Sequence, residues 1–410
     1  MHVLIYCVGS AGDVYPFIAI GESLQRRGHE VQVLTAGLFR DKIERAGLGF
    51  IEAGSQEQYD EVIQNPDLWH PKKGAGVILR LFGDGWPLAY AFLVDHVRPH
   101  DTVLVTSTLG MSARLLQEKL GTKLVTVHLQ PSSLLSATDP GALAALPWAK
   151  YLPTWAARAL IASIDRGMSF LLCPKLNAFR ATLALPPVRS IRRWMNSPER
   201  VVCAFPAWFA APQRDWPPNS VCTNFPRLAA AADERLRDEL LSFLNAGAPP
   251  IAYTPGSAHA HGRAFFERAF AATEKLGMRA VFVTRYRDQL PDALPSWAHY
   301  EPYAPYDLLA PRVAAFVHHG GIGTSATVLA AGTPQLITPF TFDQPDNAAR
   351  LKKLGVAESV SPKAPAAHWA RALSKLLNDP AIAKTCREIA ARMAAEEPGG
   401  EQIADWIEEL

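Results

Sequence analysis

Short apolar segments alternate with helix-forming stretches twice along this chain, and this most restricts what it can fold into. The first array holds HVLIYCV (2–8), EVQVLT (30–35), LGFIEAG (48–54), DTVLVTS (101–107) and KLVTVHL (123–129). Between them lie PFIAIGESLQRRG, with Pro16 at a permissible helix start, and helices near 39–46 and 109–120. A second array begins near 250 with PPIAYTPGS, then MRAVFVT (278–284), VAAFVHH (313–319) and TPQLITP (333–339), separated by helices near 262–276, 323–332 and 344–354. Apolar strands that do not alternate with polar residues imply parallel sheets covered on both faces. A chain of 410 residues exceeds one ordinary core. The expectation is therefore α/β: two Rossmann-like doubly wound parallel-sheet domains facing a cleft. We read 1–225 as the N-terminal domain, 226–249 as a linker and 250–395 as the C-terminal domain. Residues 396–410, with six acids and no base, read as a helix returning to the N-terminal domain. Ligands of such sheets bind beyond the carboxyl ends of the strands, so the chemistry belongs to those loops.

Composition narrows the classes. Lys+Arg 41 against Asp+Glu 39 leaves no basic field for nucleic acid. No apolar run reaches the ~20 residues of a spanning helix. The start, MHVLIYCVGSAGDVYP, lacks the basic region and cleavage site of a signal peptide and reads as a strand. Five scattered cysteines without C-x-x-C suit a reducing, cytoplasmic setting. The middle of the chain differs from both arrays. Seven of the ten tryptophans fall between Trp69 and Trp216, and residues 150–194 carry eight Lys or Arg against Asp165 alone. Such a region fits a hydrophobic ligand, or a peripheral contact with a membrane surface, as well as it fits a buried core with a solvated face.

Three loops carry candidate chemistry. In Gly9-Ser10-Ala11-Gly12-Asp13 the glycines lack the G-x-G-x-x-G spacing of dinucleotide sites. Asp13 stands at a helix start, where it serves as a cap or as a general base for an attacking hydroxyl. The loop His318-His319-Gly320-Gly321-Ile322-Gly323-Thr324 follows a strand and opens a helix. Glycines let a ligand approach the backbone, and free N–H groups with the helix dipole favour an anion. Ser257 adds a hydroxyl after the first C-terminal strand, and His259 and His261 are read as loop residues. Asp343 and Gln344 can accept from and donate to sugar hydroxyls, or cap a helix. No metal-ligand spacing appears, so the expected site uses no metal and no resident cofactor.

These segments resemble a known family: inverting, metal-independent glycosyltransferases of the GT-B fold that use nucleotide-sugars. The likeness rests on GSAGDVYPFIAIGESLQRRGHEV (9–31), YAPYDLLAPRVAAFVHHGGIGT (303–324) and AAGTPQLITPFTFDQPDNAARLKKLGV (330–356). WMNSPERVVCAFPAWFAAPQRDWP (194–217) resembles one subgroup, the rhamnosyltransferases of rhamnolipid biosynthesis. The resemblance implies Asp13 as catalytic base. It implies diphosphate contacts from His318, Gly320, Gly321, Gly323, Thr324 and Ser257, and a nucleobase stacked on Tyr303. Asp343 and Gln344 would hold the donor sugar. The subgroup implies L-rhamnose moved from dTDP-rhamnose to a hydroxyalkanoyloxyalkanoate, with Trp69, Trp194 and Trp208 among the acceptor-lining candidates. Plant members orient a basic His with an Asp after the fourth strand; here that region reads Ser107-Thr108. Three alternatives stay open: a UDP-sugar glucosyltransferase of small hydrophobic acceptors, a nucleotide-sugar 2-epimerase, and a non-catalytic nucleotide-sugar binder.

Overall fold

The computed structural model describes residues 1–70, 72–142, 145–146, 148–257, 259 and 262–410, with Phe82 described by its backbone alone. The chain divides into two compact units, Met1–Leu228 with Pro398–Leu410, and Ala229–Glu397.

The first unit runs β1 (His2–Tyr6), α1 (Ala11–Arg26), β2 (Glu30–Thr35), α2 (Arg40–Arg45), β3 (Gly49–Glu52), α3 (Gln56–Gln64), α4 (Gly74–His96), β4 (Thr102–Ser107), α5 (Met111–Leu120), β5 (Lys123–His128), α6 (Thr154–Thr182), α7 (Ile191–Trp194), β6 (Arg200–Cys203) and β7 (Ser220–Cys222). The second unit holds α8 (Asp238–Asn245), β8 (Ile251–Thr254), α9 (Arg263–Leu276), β9 (Ala280–Val283), β10 (Ala298–Glu301), α10 (Tyr306–Leu309), β11 (Ala315–His318), α11 (Ile322–Ala330), β12 (Gln335–Ile337), α12 (Gln344–Lys353), β13 (Ala357–Ser359), α13 (Ala366–Asn378) and α14 (Pro380–Ala395). The last helix, α15 (Gly399–Glu408), belongs to the first unit.

All recorded strand pairs are parallel. The strand orders are β3-β2-β1-β4-β5-β6-β7 and β10-β9-β8-β11-β12-β13. Val3, Leu4, Ile5 and Val105 in one sheet, and Ala252, Phe282, Phe316 and Leu336 in the other, are fully buried, as strands covered on both faces require. Strand order reverses between β1 and β4 and again between β8 and β11. Those two switch points are where a doubly wound sheet opens a crevice for a ligand. Asp13 follows β1, and the 319–321 loop follows β11.

Two readings need correction. Pro16 does not start α1. The helix begins at Ala11, where Ser10 and Asp13 fix its first turn, and Pro16 sits inside it without a donor for the Gly12 carbonyl. Part of the expected linker is core. Leu240 and Leu244 on one face of α8, with Leu236 just before the helix, are buried among Ala252, Val281 and Phe316. The Trp-rich middle is largely helical, through α4 and the 29-residue α6. Its basic side chains are not uniformly free either. Arg180 is buried on Glu118 and lies over Trp194, and Lys175 pairs with Asp84. Among the described residues no single helix is long and apolar enough to cross a membrane. The two parts of α4, 74–81 and 83–96, pass that test only together, across a bend of 41°.

The C-terminal helix α15 packs on α1 at close quarters. A Cβ on Gly400 would lie 2.9 Å from the Ala19 carbonyl oxygen, and one on Gly399 would overlap the Asn224 carbonyl. Ile403, Ala404 and Ile407 are fully buried there. Arg27 reaches Glu401 at 3.0 Å, Asp405 at 2.6 Å and Glu408 at 2.8 Å, and His29 meets Glu408 at 2.6 Å. These exposed pairs are individually weak, but as a network they fix the helix's register.

Candidate functional site

In the first unit the chemistry gathers where α1 begins. Asp13 is the third helical residue, and its Oδ2 accepts from the Ser10 N–H at 2.8 Å and the Ser10 hydroxyl at 3.0 Å. Both bonds run from Ser10 to Asp13, so the carboxylate satisfies the cap residue's N–H and closes the helix start. Gly9 makes it fit. Its φ of +138° strains other residues, and a Cβ there would lie 2.4 Å from Asp13 Oδ2. The other carboxylate oxygen, Oδ1, has no hydrogen-bond partner among the described residues. Burial raises the Asp13 pKa against the lowering pull of the two Ser10 bonds. One oxygen thus anchors the carboxylate, and the other stays available as a base of raised basicity.

Beside it, across the switch point, Thr108 follows β4 and its Oγ1 lies 2.8 Å from His128 Nδ1. The opposite ring nitrogen donates to Asn196 Oδ1 at 2.7 Å, and Ser133 approaches Nδ1 at 2.9 Å. Burial pushes the His128 pKa down to about 4, so the ring is neutral and Nδ1 is an acceptor. Sequence reading missed His128. The only signal was its place at the carboxyl end of an apolar strand.

In the second unit, β11 ends at His318, and α11 starts two residues after Gly320. His318 is fully buried. Its Nδ1 accepts from the Gly320 N–H at 3.1 Å, and its Nε2 donates to Gln335 Oε1 at 2.9 Å. Both ring nitrogens are therefore engaged inside the unit, and burial lowers the pKa to about 4. The neighbouring His319 occupies the loop itself. A Cβ on Gly256 would lie 2.8 Å from its ring, and one on Gly321 would lie 2.5 Å from its Nε2. The His319 ring therefore sits between the loops after β8 and β11, where only glycines give it room. Its buried Nδ1 has no partner among the described residues, and burial followed by His318 lowers its pKa to about 3. Sequence reading assigned the diphosphate contact to His318; the structure gives His318 the inner position and His319 the loop position.

Gly321 caps α11 with no side chain to offer. Among the described residues nothing accepts from the N–H groups of Ile322, Gly323 and Thr324, and the half-exposed Thr324 hydroxyl has no recorded bond. An uncapped helix start with converging amides is an anion site. Ser257 is exposed on the facing loop. His259 is buried instead, stacked on Phe340 at 4.3 Å between ring centroids, and His261 lies outside the described residues.

The next loop supports the same edge. Gln344 Oε1 accepts from the Phe340 and Thr341 N–H groups at 2.8 and 3.1 Å, so its amide oxygen shapes the loop while its NH₂ has no recorded partner. Asp343 caps α12 and takes a bond from Asn347 Nδ2 at 2.6 Å. Asn347 also donates to the Gly320 carbonyl at 2.9 Å, tying this loop to the glycine loop. Asn347 is fully buried, and sequence reading gave it no role. Tyr303 is half-exposed and donates to Glu234 at 2.7 Å.

The three tryptophans proposed for an acceptor are not alike. Trp194 is a core residue, packed with Trp86, Leu172 and Ile191, and its indole N–H bonds Glu118 at 3.0 Å. It lines no open surface, because its one polar atom is satisfied inside. Trp69 is half-buried and donates to the Ile63 carbonyl at 2.8 Å. Trp208 is half-buried and lies edge-on to Phe209 and Phe225.

Comparison with known proteins agrees with this architecture. Residues 3–82 match the glycosyltransferase family 28 N-terminal domain, and residues 281–410 match the C-terminal domain of erythromycin biosynthesis protein CIII-like proteins. The O-mycaminosyltylonolide 6-deoxyallosyltransferase of Streptomyces fradiae is 29% identical over 433 residues, covering 100% of this chain and 97% of that protein. Among solved structures, the glycotransferase of kitacinnamycin superposes with a TM-score of 0.74 at 19% identity, covering 100% of this chain and 98% of that one. The spinosyn rhamnosyltransferase SpnG complexed with thymidine diphosphate gives 0.67 at 19% identity, covering 99% and 100%. With a glycosyltransferase domain matched over residues 3–82, a CIII-like domain over 281–410 and two parallel-sheet units that carry them, the protein is a glycosyltransferase of the GT-B type.

Proposed function

We propose that the protein is an inverting glycosyltransferase that moves L-rhamnose from dTDP-rhamnose to a hydroxyl of a hydrophobic lipid acid such as a hydroxyalkanoyloxyalkanoate. The observation that carries the catalytic part is the division of labour within Asp13. Oδ2 is spent on α1, while Oδ1 is unengaged on a carboxyl of raised pKa. Asp13 Oδ1 takes the proton of the acceptor hydroxyl. That oxygen forms a bond to the anomeric carbon as the bond to the diphosphate oxygen breaks, so the anomeric configuration inverts. The departing charge falls to the amides of Ile322, Gly323 and Thr324 and the Thr324 hydroxyl. His318 acts from behind by holding Gly320, and His319 and Ser257 border the same loop. Asp343 and the Gln344 NH₂ meet sugar hydroxyls, and Tyr303 offers a ring to the base. No metal enters this scheme.

The choice of a thymidine nucleotide and a deoxysugar is supported by likeness. One similar structure is a rhamnosyltransferase with thymidine diphosphate, and the similar Streptomyces fradiae protein is named a deoxyallosyltransferase. The test is turnover with dTDP-rhamnose and a hydroxyalkanoyloxyalkanoate, with UDP-glucose run in parallel. Release of dTDP with a rhamnosylated product of inverted configuration is expected. Transfer from UDP-glucose alone would remove the rhamnose assignment. An altered sugar nucleotide formed without acceptor would make the protein an epimerase, and donor binding without turnover would make it a binder.

A further inference from the structure

Five of the eleven exposed large apolar side chains among the described residues fall between Trp148 and Leu171. Trp155 is 75% exposed, Phe170 81% and Tyr151 78%, with Trp148 and Leu171 both more than half exposed. This is unusual for aromatic residues, which normally bury most of their surface. They are not scattered. On α6, Trp155, Ala159, Ala162, Arg166 and Phe170 succeed one another at spacings of four, three, four and four, which makes one helical stripe. Ala157, Ile161, Leu172 and Leu176 bury the opposite face. The helix is thus apolar on both sides, and among the described residues only one side has a partner. α4, packed against α6, exposes Leu81 and Leu88 as well.

Charge identifies the missing partner. Lys150, Arg158 and Arg166 lie on the same stretch, exposed, with no carboxylate partner among the described residues; Lys150 instead lies 5.0 Å over the Tyr151 ring. Asp165, the one acid of α6, is turned away, accepting from Ser190 at 2.8 Å and from the Arg192 N–H at 3.2 Å. The acids of α15 are occupied by Arg26, Arg27 and His29. A second copy of this chain pairing through the same face would set these cations against themselves, since a two-fold contact repeats the same surface on both sides. A phospholipid surface of negative charge answers both features. Trp and Tyr settle at the headgroup level, while Lys and Arg meet the phosphates.

We propose that the outer face of α6, with the preceding 148–151 turn, docks the protein peripherally on an anionic lipid bilayer. The inference needs neither donor nor acceptor and stands apart from the proposed reaction. Co-sedimentation of the full chain with phosphatidylcholine vesicles, with and without one-third phosphatidylglycerol, tests it. Binding to the anionic vesicles alone is expected, weakening as NaCl is raised. Arg158→Gln and Arg166→Gln should each weaken it about fivefold. The pair Trp155→Ser and Phe170→Ser, both exposed, should remove most of it while leaving the thermal unfolding temperature unchanged. Asp13→Asn, inert in the sugar-transfer assay, should bind vesicles like the parent, which separates failure of this idea from failure of the reaction scheme. Equal binding to neutral vesicles, no binding to either, or binding unaltered in both sets of variants would overturn the proposal. So would a dimer in solution that dissolves on Trp155→Ser and Phe170→Ser, which would give the face to a second copy.

Discussion

The two units start a helix at matching places in their sheets and finish those helix starts in opposite ways. In α1, Ser10 is the cap and Asp13 the third helical residue, and the carboxylate turns back to close the end. In α11, Gly321 is the cap and Thr324 the third residue, and none of the described residues closes the end. One helix carries its own anion; the other presents bare amides to an anion from outside. The difference teaches how one fold element serves two tasks. A resident carboxylate at the helix start becomes a base held by one oxygen, and its absence becomes a phosphate seat.

The comparison breaks most sharply at Asp13. Asp13→Asn keeps an oxygen to accept from Ser10 but loses the base, so turnover should fall by about 10²–10⁴-fold. Calorimetric titration with donor should show affinity unchanged. The stability effect has a definite sign. A carboxyl whose pKa is raised in the folded state is costly to ionise there, so its contribution is fully present below the usual 3.8 and is lost as pH rises through the raised value. The Asn variant should therefore gain stability relative to the parent as pH climbs through that window, read as urea midpoints.

Moving the first arrangement onto the second helix comes next in size. Thr324→Asp places a carboxylate at the third residue of α11, where it can close that end as Asp13 closes α1. Donor affinity should drop on the order of 100-fold, since charge-assisted hydrogen bonds worth roughly 1.5–3 kcal/mol are lost. The protein itself should gain about 0.3–1 kcal/mol. Stability that falls along with affinity would show that α11 is not an open anion seat.

Gly9→Ala sharpens the same contrast from the backbone side. The added Cβ would collide with Asp13 Oδ2, so the variant should lose roughly 1–3 kcal/mol and most turnover. The smallest effect is a pH slope. His318 and His319 titrate near 4 and 3 in the fold against 6.5 unfolded. The unfolded chain thus binds protons first, and stability falls as pH drops below 6.5, by about 1.4 kcal/mol per unit for each ring. His128, pushed down to about 4 as well, adds an equal share, so His319→Gln should remove about a third of the slope of the three rings between pH 6 and 4.5 and weaken donor binding.

What was legible in the sequence follows from the same physics. Parallel strands buried on both faces read as plain apolar runs, and β1, β2, β4, β5, β9, β11 and β12 stand within the segments so recognised. The helices α4 and α6 were hidden, because Pro87 and Pro174 interrupt their pattern and apolar residues lie on both sides of α6. The loops that hold the candidate chemistry were found by glycine spacing. Orientation within them was not. Nothing in His318-His319 says which ring turns inward, and the answer rests on Gln335, which lies on the adjacent strand. Trp194 illustrates the same limit: composition reports an indole, but Glu118 decides that it is core. Asn347 and His128 act through contacts with residues 27 and 68 positions away, beyond any local pattern.

The return of α15 to the first unit bears on how the protein is made. Unit one has nearly all its strands and helices by Leu228, but one side of α1, at Ala19, Ser23 and Arg27, is covered by α15, from beyond Pro398. During synthesis that face waits, uncovered, while the entire second unit is translated. Unit one is thus finished only after unit two has been made, and Ala19, Ser23 and Arg27 stay open to chaperones until α15 has emerged.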